Sequence, residues 1–71
     1  MRYREAARKL RRLGCQEAPR KTRGSHRTWF NPDDTGQKAA LPDQGSRDLR
    51  IGTLRSAIRD LGLDWQEFLD A

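Results

Sequence analysis

Ser25-His26-Arg27-Thr28-Trp29-Phe30-Asn31 is the stretch on which the fold turns. Thr28, Trp29 and Phe30 are residue types that suit a pleated, half-buried surface. Thr22-Arg23-Gly24 precedes the stretch and Asn31-Pro32-Asp33-Asp34-Thr35-Gly36 follows it, and both dividers are built of turn formers. The stretch therefore reads as a strand between two reversals. Beyond those turns lie two further short segments, 15–21 and 37–42, which carry no helical period. Three strands joined by two turns predict an antiparallel meander.

Helical periodicity brackets the meander. Upstream, Tyr3, Ala6, Ala7, Leu10 and Leu13 recur at three- and four-residue steps, which predicts a helix from about Arg2 to Leu13, stopped by Gly14. Its solvent side carries a stripe of Arg4, Arg8 and Arg11, while Lys9 and Arg12 sit toward the negative end of its dipole. Downstream, the polar loop 43–50 leads into Leu54, Ile58 and Leu61, again at helical spacing and ending at Gly62. Thr53 is the expected cap of that helix, with Gly52 as the alternative. Asp64 with Glu67 three residues later has the form of a capping box, opening a short last helix with Trp65, Phe68 and Leu69 on its apolar side.

The order α-β-β-β-α with a helical appendix predicts an α+β domain spanning 1–71. In it a three-stranded antiparallel sheet carries both main helices on one face and leaves the other face open. Seventy-one residues with 34% hydrophobic and 35% charged side chains support only one modest core. A deep, enclosed site is not expected. Cys15 has no second thiol to pair with, no run approaches the length of a membrane span, and the basic start is followed by no apolar stretch. A soluble protein of the reducing cytoplasm, with Cys15 a buried inert thiol, is the expectation.

The formal charge of +5 is unevenly spread. Ten of the fifteen lysines and arginines lie in the first thirty residues against Glu5 and Glu17, so that part is +8 and the remainder −3. Such a field suits a phosphate backbone, bound by release of its counterions.

Chemistry has one obvious carrier. His26 is the sole histidine, placed at the start of the central strand just after a glycine turn. Strand alternation puts His26 and Thr28 on one face and Ser25, Arg27 and Trp29 on the other. With Trp29 inward, His26 looks onto the open face among Lys21, Arg23 and Lys38. Imidazole exchanges protons near neutral pH, so it can take a proton from a ribose 2′-hydroxyl or give one to a departing 5′-oxygen. Lys21, Arg23, Arg27 and Lys38 are the residues expected to hold and orient phosphate, with Ser25 beside them and Gly24 shaping the approach to His26. No His or Cys cluster and no phosphate-loop glycine pattern occurs, so neither metal nor cofactor is expected. Asp33-Asp34 reads as a solvated turn and Thr53 and Ser56 as cap and packing residues.

Three pieces of the chain together carry a likeness to a known family: Gly24-Ser25-His26 with an aromatic three residues after the histidine, Leu41-Pro42, and Asp48-Leu49-Arg50-Ile51-Gly52-Thr53-Leu54-Arg55-Ser56. Over residues 4–63 the sequence resembles HicA toxins. The resemblance implies a fold like the double-stranded-RNA-binding domain, mRNA cleavage with His26 as the essential catalytic residue, and inhibition by a HicB-like antitoxin. It gives Gly52, Thr53 and Leu54 a structural role at the helix start. Two positions depart from the family pattern. Gln44 stands where many members have a second histidine, which removes one proton-exchanging group, and Ile51 stands where they have proline. The alternatives are an RNA-binding module that does not cut, and a protein-interaction module whose basic face meets an acidic partner.

Overall fold

The computed structural model describes residues 1–19 and 24–71, with Thr35 described by its backbone alone. Its elements are α1 (Tyr3–Arg12), β1 (Gln16–Glu17), β2 (His26–Asn31), β3 (Asp34–Pro42), α2 (Ile51–Asp60) and α3 (Trp65–Asp70). The expected α-β-β-β-α order and three-stranded antiparallel sheet are present, with strand order β1-β2-β3.

Helix α1 buries Tyr3, Ala6, Ala7 and Leu10, the apolar stripe of its sequence. It stops by a Schellman arrangement: Gly14 N–H donates to the Arg11 carbonyl (3.0 Å) and Cys15 N–H to the Leu10 carbonyl (2.9 Å). Gly14 holds φ +89°, which a residue with a Cβ adopts only with strain. The chain thus reverses directly into β1 with Cys15 buried under it. At the end of α2 the same two bonds recur, Gly62 to Arg59 (2.9 Å) and Leu63 to Ile58 (3.1 Å).

In the sheet, Trp29 lies opposite Ala39 and Arg27 opposite Leu41, and all four are buried on the inner face. There they meet α1, α2 and α3: the largest fully buried side chains are Trp29, Phe68, Leu10, Leu41, Ile58 and Leu61. The Trp29 indole donates to the Tyr3 hydroxyl (3.1 Å), and that hydroxyl donates to Glu17. The two polar groups carried into the core by aromatic rings are therefore both satisfied. Arg11 lies over the Trp29 ring, 5.2 Å from its centre.

Three boundaries differ from the sequence reading. Strand β3 begins at Asp34, three residues before the expected Gln37, because Asn31 pairs with Asp34 and only Pro32 and Asp33 form the turn, with a register shift between Phe30 and Asn31. The Asn31 side chain closes this turn by accepting from Asp33 N–H at 3.0 Å. Helix α2 starts at Ile51 with Arg50 at its N-cap and no side-chain cap, so neither Thr53 nor Gly52 caps it. Strand β1 is limited to Gln16–Glu17, although Ala18 N–H still reaches the Thr28 carbonyl (2.8 Å). The end of the longer strand expected over 15–21 lies outside the described residues.

Asp64 caps α3, accepting from Glu67 N–H at 3.1 Å. Phe68 fills the core, Trp65 stacks on it at 5.7 Å, and Arg55 covers Trp65 at 4.9 Å. Lys9 fastens α3 to α1 through the carbonyls of Leu69 (2.7 Å) and Ala71 (2.9 Å), so this cation serves the end of α3 and not only that of its own helix. Among the described residues no helix is long and apolar enough to cross a membrane.

Candidate active site

His26 opens β2 on the outer sheet face, exposed, opposite Pro42 of β3. It does not contribute to the core, and its surroundings are set by the turn before it. Gly24 takes φ +148°, an angle that side-chain-bearing residues rarely hold. That turn is then gripped from the inner side. The Arg27 guanidinium donates to the Gly24 carbonyl (2.7 Å) and lies 3.5 Å from the Asp43 carboxylate. Asp43 N–H, in turn, donates to the Ser25 carbonyl at 2.5 Å. One cation and one acid, sixteen residues apart in sequence, thereby fix both residues preceding the imidazole.

This arrangement separates two roles that the sequence reading joined. Arg27 is 9% exposed and its charge faces Asp43, on the sheet face opposite His26. A guanidinium so enclosed is turned away from the face that bears His26, and its contacts hold the Gly24-Ser25 turn. Asp43, which reads in sequence as the first residue of a polar loop, is the neighbour of the His26 turn that the sequence does not reveal. The only signal for it is an acid directly after Leu41-Pro42, and its partner is evident only once β2 and β3 are paired.

The other expected site residues divide by place. Ser25 is half-buried and enters through its carbonyl. Lys38 is exposed on the same face as His26 but pairs with Phe30. That puts it four strand residues from His26 along the sheet, about 13 Å. Lys21 and Arg23 lie outside the described residues. Gln44 follows Asp43 and is exposed. The basic stripe of α1, with Arg4, Arg8 and Arg11 all exposed, lies beyond the core on the inner side of the sheet, since α1 packs there. Among the described residues no carboxylate approaches Arg4, Arg8 or Arg11 within ion-pair distance.

Two titratable groups inside the core are shifted by their surroundings. Burial first, and then the bond to Glu17, push the Tyr3 hydroxyl well above the usual phenol range. Burial likewise pushes the Cys15 thiol up. A thiol so placed is protonated and shielded, which is the state of a packing residue and not of a nucleophile.

No curated protein matches the chain. Residues 3–63 match the family model described as HicA toxin of bacterial toxin-antitoxin, so the match takes in α1, the whole sheet, the His26 turn and α2. That coverage runs through most of the 71 residues, and the chain belongs to the HicA toxin family of toxin-antitoxin systems, whose toxins are paired with an antitoxin.

Proposed function

We propose that this toxin is an endoribonuclease that cleaves mRNA in the cytoplasm, with His26 as its general acid or base. The observation that carries the reading is the exposed His26 on the free sheet face, held at the end of a turn that Arg27 and Asp43 brace from behind. An imidazole in that position is open to a polymer and needs no cleft to receive it.

The chemistry follows from one proton-transfer group. Acting as base, His26 takes the proton of a ribose 2′-hydroxyl while the 2′-oxygen attacks the adjacent phosphorus. The bond to the 5′-oxygen breaks, and that oxygen takes its proton from water, leaving a 2′,3′-cyclic phosphate. Acting as acid, His26 instead supplies the proton to the 5′-oxygen, and water takes the proton of the 2′-hydroxyl. A single imidazole performs one of these transfers per turnover, and such a transfer contributes roughly 10²- to 10⁴-fold to rate. Lys38 contacts phosphate on the same face, and Lys21 and Arg23 are assigned the same role. Arg27 and Asp43 hold the Gly24-Ser25 turn.

The antitoxin counterpart, HicB-like and acidic where it meets the basic half of the chain, inhibits by covering the His26 face. Occlusion alone excludes RNA, and opposite charge speeds the encounter.

Expression in a bacterial host tests the reading. The parent chain is expected to arrest growth with loss of mRNA, and His26→Ala to restore growth at equal protein level. Arrest by His26→Ala as strong as by the parent refutes the assignment. If both chains bind RNA equally and neither shortens it, the protein is the binding module and not the nuclease.

A further inference from the structure

Strand β2 carries two adjacent aromatic residues that go opposite ways. Trp29 enters the core and is fully buried. Phe30 is half-buried, takes no part in the core cluster and is not among the apolar side chains packed against it. By alternation it shares the outer face with Thr28 and His26. The strand register then sets its neighbours: Gln16 of β1 and Lys38 of β3 stand opposite Phe30 on either side, and both are exposed. An apolar ring with no core to fill is thus flanked by an amide and a cation.

The rows between this ring and the histidine are low. His26 faces Pro42, the next outward pair is Thr28 with Ala40, and the third is Phe30 with Lys38. Thr28 and Ala40 are small and exposed, so the outer face has a shallow floor with the imidazole at one end and the ring at the other. His26 and Phe30 are four residues apart on an extended strand, a separation of about 13 Å. That is too far for one nucleotide to touch both.

We propose that Gln16, Phe30 and Lys38 form a nucleotide subsite for single-stranded RNA. The Phe30 ring stacks an unpaired base that flanks the cut, the Lys38 ammonium takes the neighbouring phosphate, and the Gln16 amide bonds to the base edge. The proposal rests on the RNA-cleaving reading of His26 and adds to it a substrate class and a place of sequence preference. Stacking needs an exposed base face, so RNA held in a duplex does not fit; an aromatic ring accepts any base, and the amide supplies what discrimination there is. The ring's pairing with a cation in the same row favours a nucleotide over an apolar protein side chain as the occupant.

The test uses a short single-stranded RNA with one cleavage position, bound to chains carrying His26→Ala so that affinity is read without cutting, and cleaved by chains with His26 intact. Phe30→Ala is expected to weaken binding about 10- to 100-fold, the range of one lost base stack. Phe30→Leu, which keeps apolar bulk without a π face, should lose a similar factor, and Phe30→Trp should recover it. Replacing one flanking nucleotide at a time by an abasic residue should find a position where the parent loses that factor and Phe30→Ala loses nothing more. Thermal unfolding of Phe30→Ala near that of the parent shows that the loss is one of contact. Unchanged RNA affinity and cleavage in Phe30→Ala overturns the subsite while leaving the His26 reading intact. Weakened antitoxin binding with RNA binding unaffected also overturns it, and makes Phe30 a protein contact. A parent chain that neither binds nor cuts RNA overturns both.

Discussion

Arg27 and Asp43 sit behind the proposed site and hold the turn before His26 from the inner side of the sheet. Arg27 spans the Gly24 carbonyl and the Asp43 carboxylate from inside the sheet. Lysine ends in a single nitrogen on a shorter stem and lacks the planar fork whose separate nitrogens reach the carbonyl and the carboxylate. Arg27→Lys is therefore expected to cost about 1–3 kcal/mol of stability, the range for disturbing a buried, charge-assisted hydrogen bond. It should lower the cleavage rate of bound RNA while leaving the salt dependence of RNA binding unchanged. Lys38→Ala should do the reverse, flattening the log-log salt slope by about 0.7 for one lost contact to single-stranded RNA and sparing stability. If Arg27→Lys flattens the slope as well, Arg27 contacts phosphate and its positioning role fails. The exposed, outward place of His26 was legible in the sequence from the strand alternation with Trp29 inward. The bracing pair was not, because the length and charge of Arg27 suggest solvent and Asp43 meets it only through strand pairing.

Among the elements, α3 has the clearest consequence. The family match ends at residue 63, yet Phe68 of α3 is fully buried among side chains of the matched part. Phe68→Ala is expected to cost about 3–5 kcal/mol, as emptying an aromatic site in a core does. Urea unfolding measures it; a loss under 1 kcal/mol would mean that α3 covers the core without filling it. Both main helices were readable to within a few residues from the spacing of their buried side chains. The start of α2 was less so: its apolar period begins only at Leu54, and no side chain caps its first turn, so nothing in Arg50-Ile51-Gly52 marks the boundary. The early start of β3 was hidden for another reason. Asp34-Thr35-Gly36 are turn formers by type, and the pairing of Asp34 with Asn31 overrides that preference.

For the molecule as a whole, alkaline stability and charge placement are the two testable properties. Tyr3 and Cys15 are neutral when protonated, and the folded state raises the pKa of both. Folding therefore holds their protons more tightly than the unfolded chain does. The stability linked to this is complete below the ordinary thiol and phenol values, about 8.5 and 10, and is lost as pH rises past them. The urea midpoint is expected to fall from about pH 9 upward, with Cys15→Ala delaying the onset. A midpoint constant from pH 8 to 11 would contradict the burial of both groups.

The +8 of the first thirty residues is largely an affair of α1 and the segment before β2. The α1 stripe lies on the inner side of the sheet, where Arg4 and Arg11 line a pocket together with Asp43. Its guanidinium groups are exposed, so with a Debye length of about 8 Å at physiological salt their reach is short and depends on ionic strength. It acts on approach: replacing Arg4, Arg8 and Arg11 by Gln should slow association with RNA at low salt and leave cleavage of saturating RNA near the parental rate. A large loss in the saturated rate would put the stripe in the site itself.

His26, held by the braced turn on an open sheet face, is proposed to transfer the proton that RNA cleavage requires. Single-turnover cleavage of a defined RNA by purified parent and His26→Ala, with folding and RNA affinity checked on the same samples, decides this. Equal folding, near-equal affinity and a rate lower by about 10²- to 10⁴-fold are expected of His26→Ala. A folded, RNA-binding His26→Ala protein that cleaves at the parental rate would contradict the proposal.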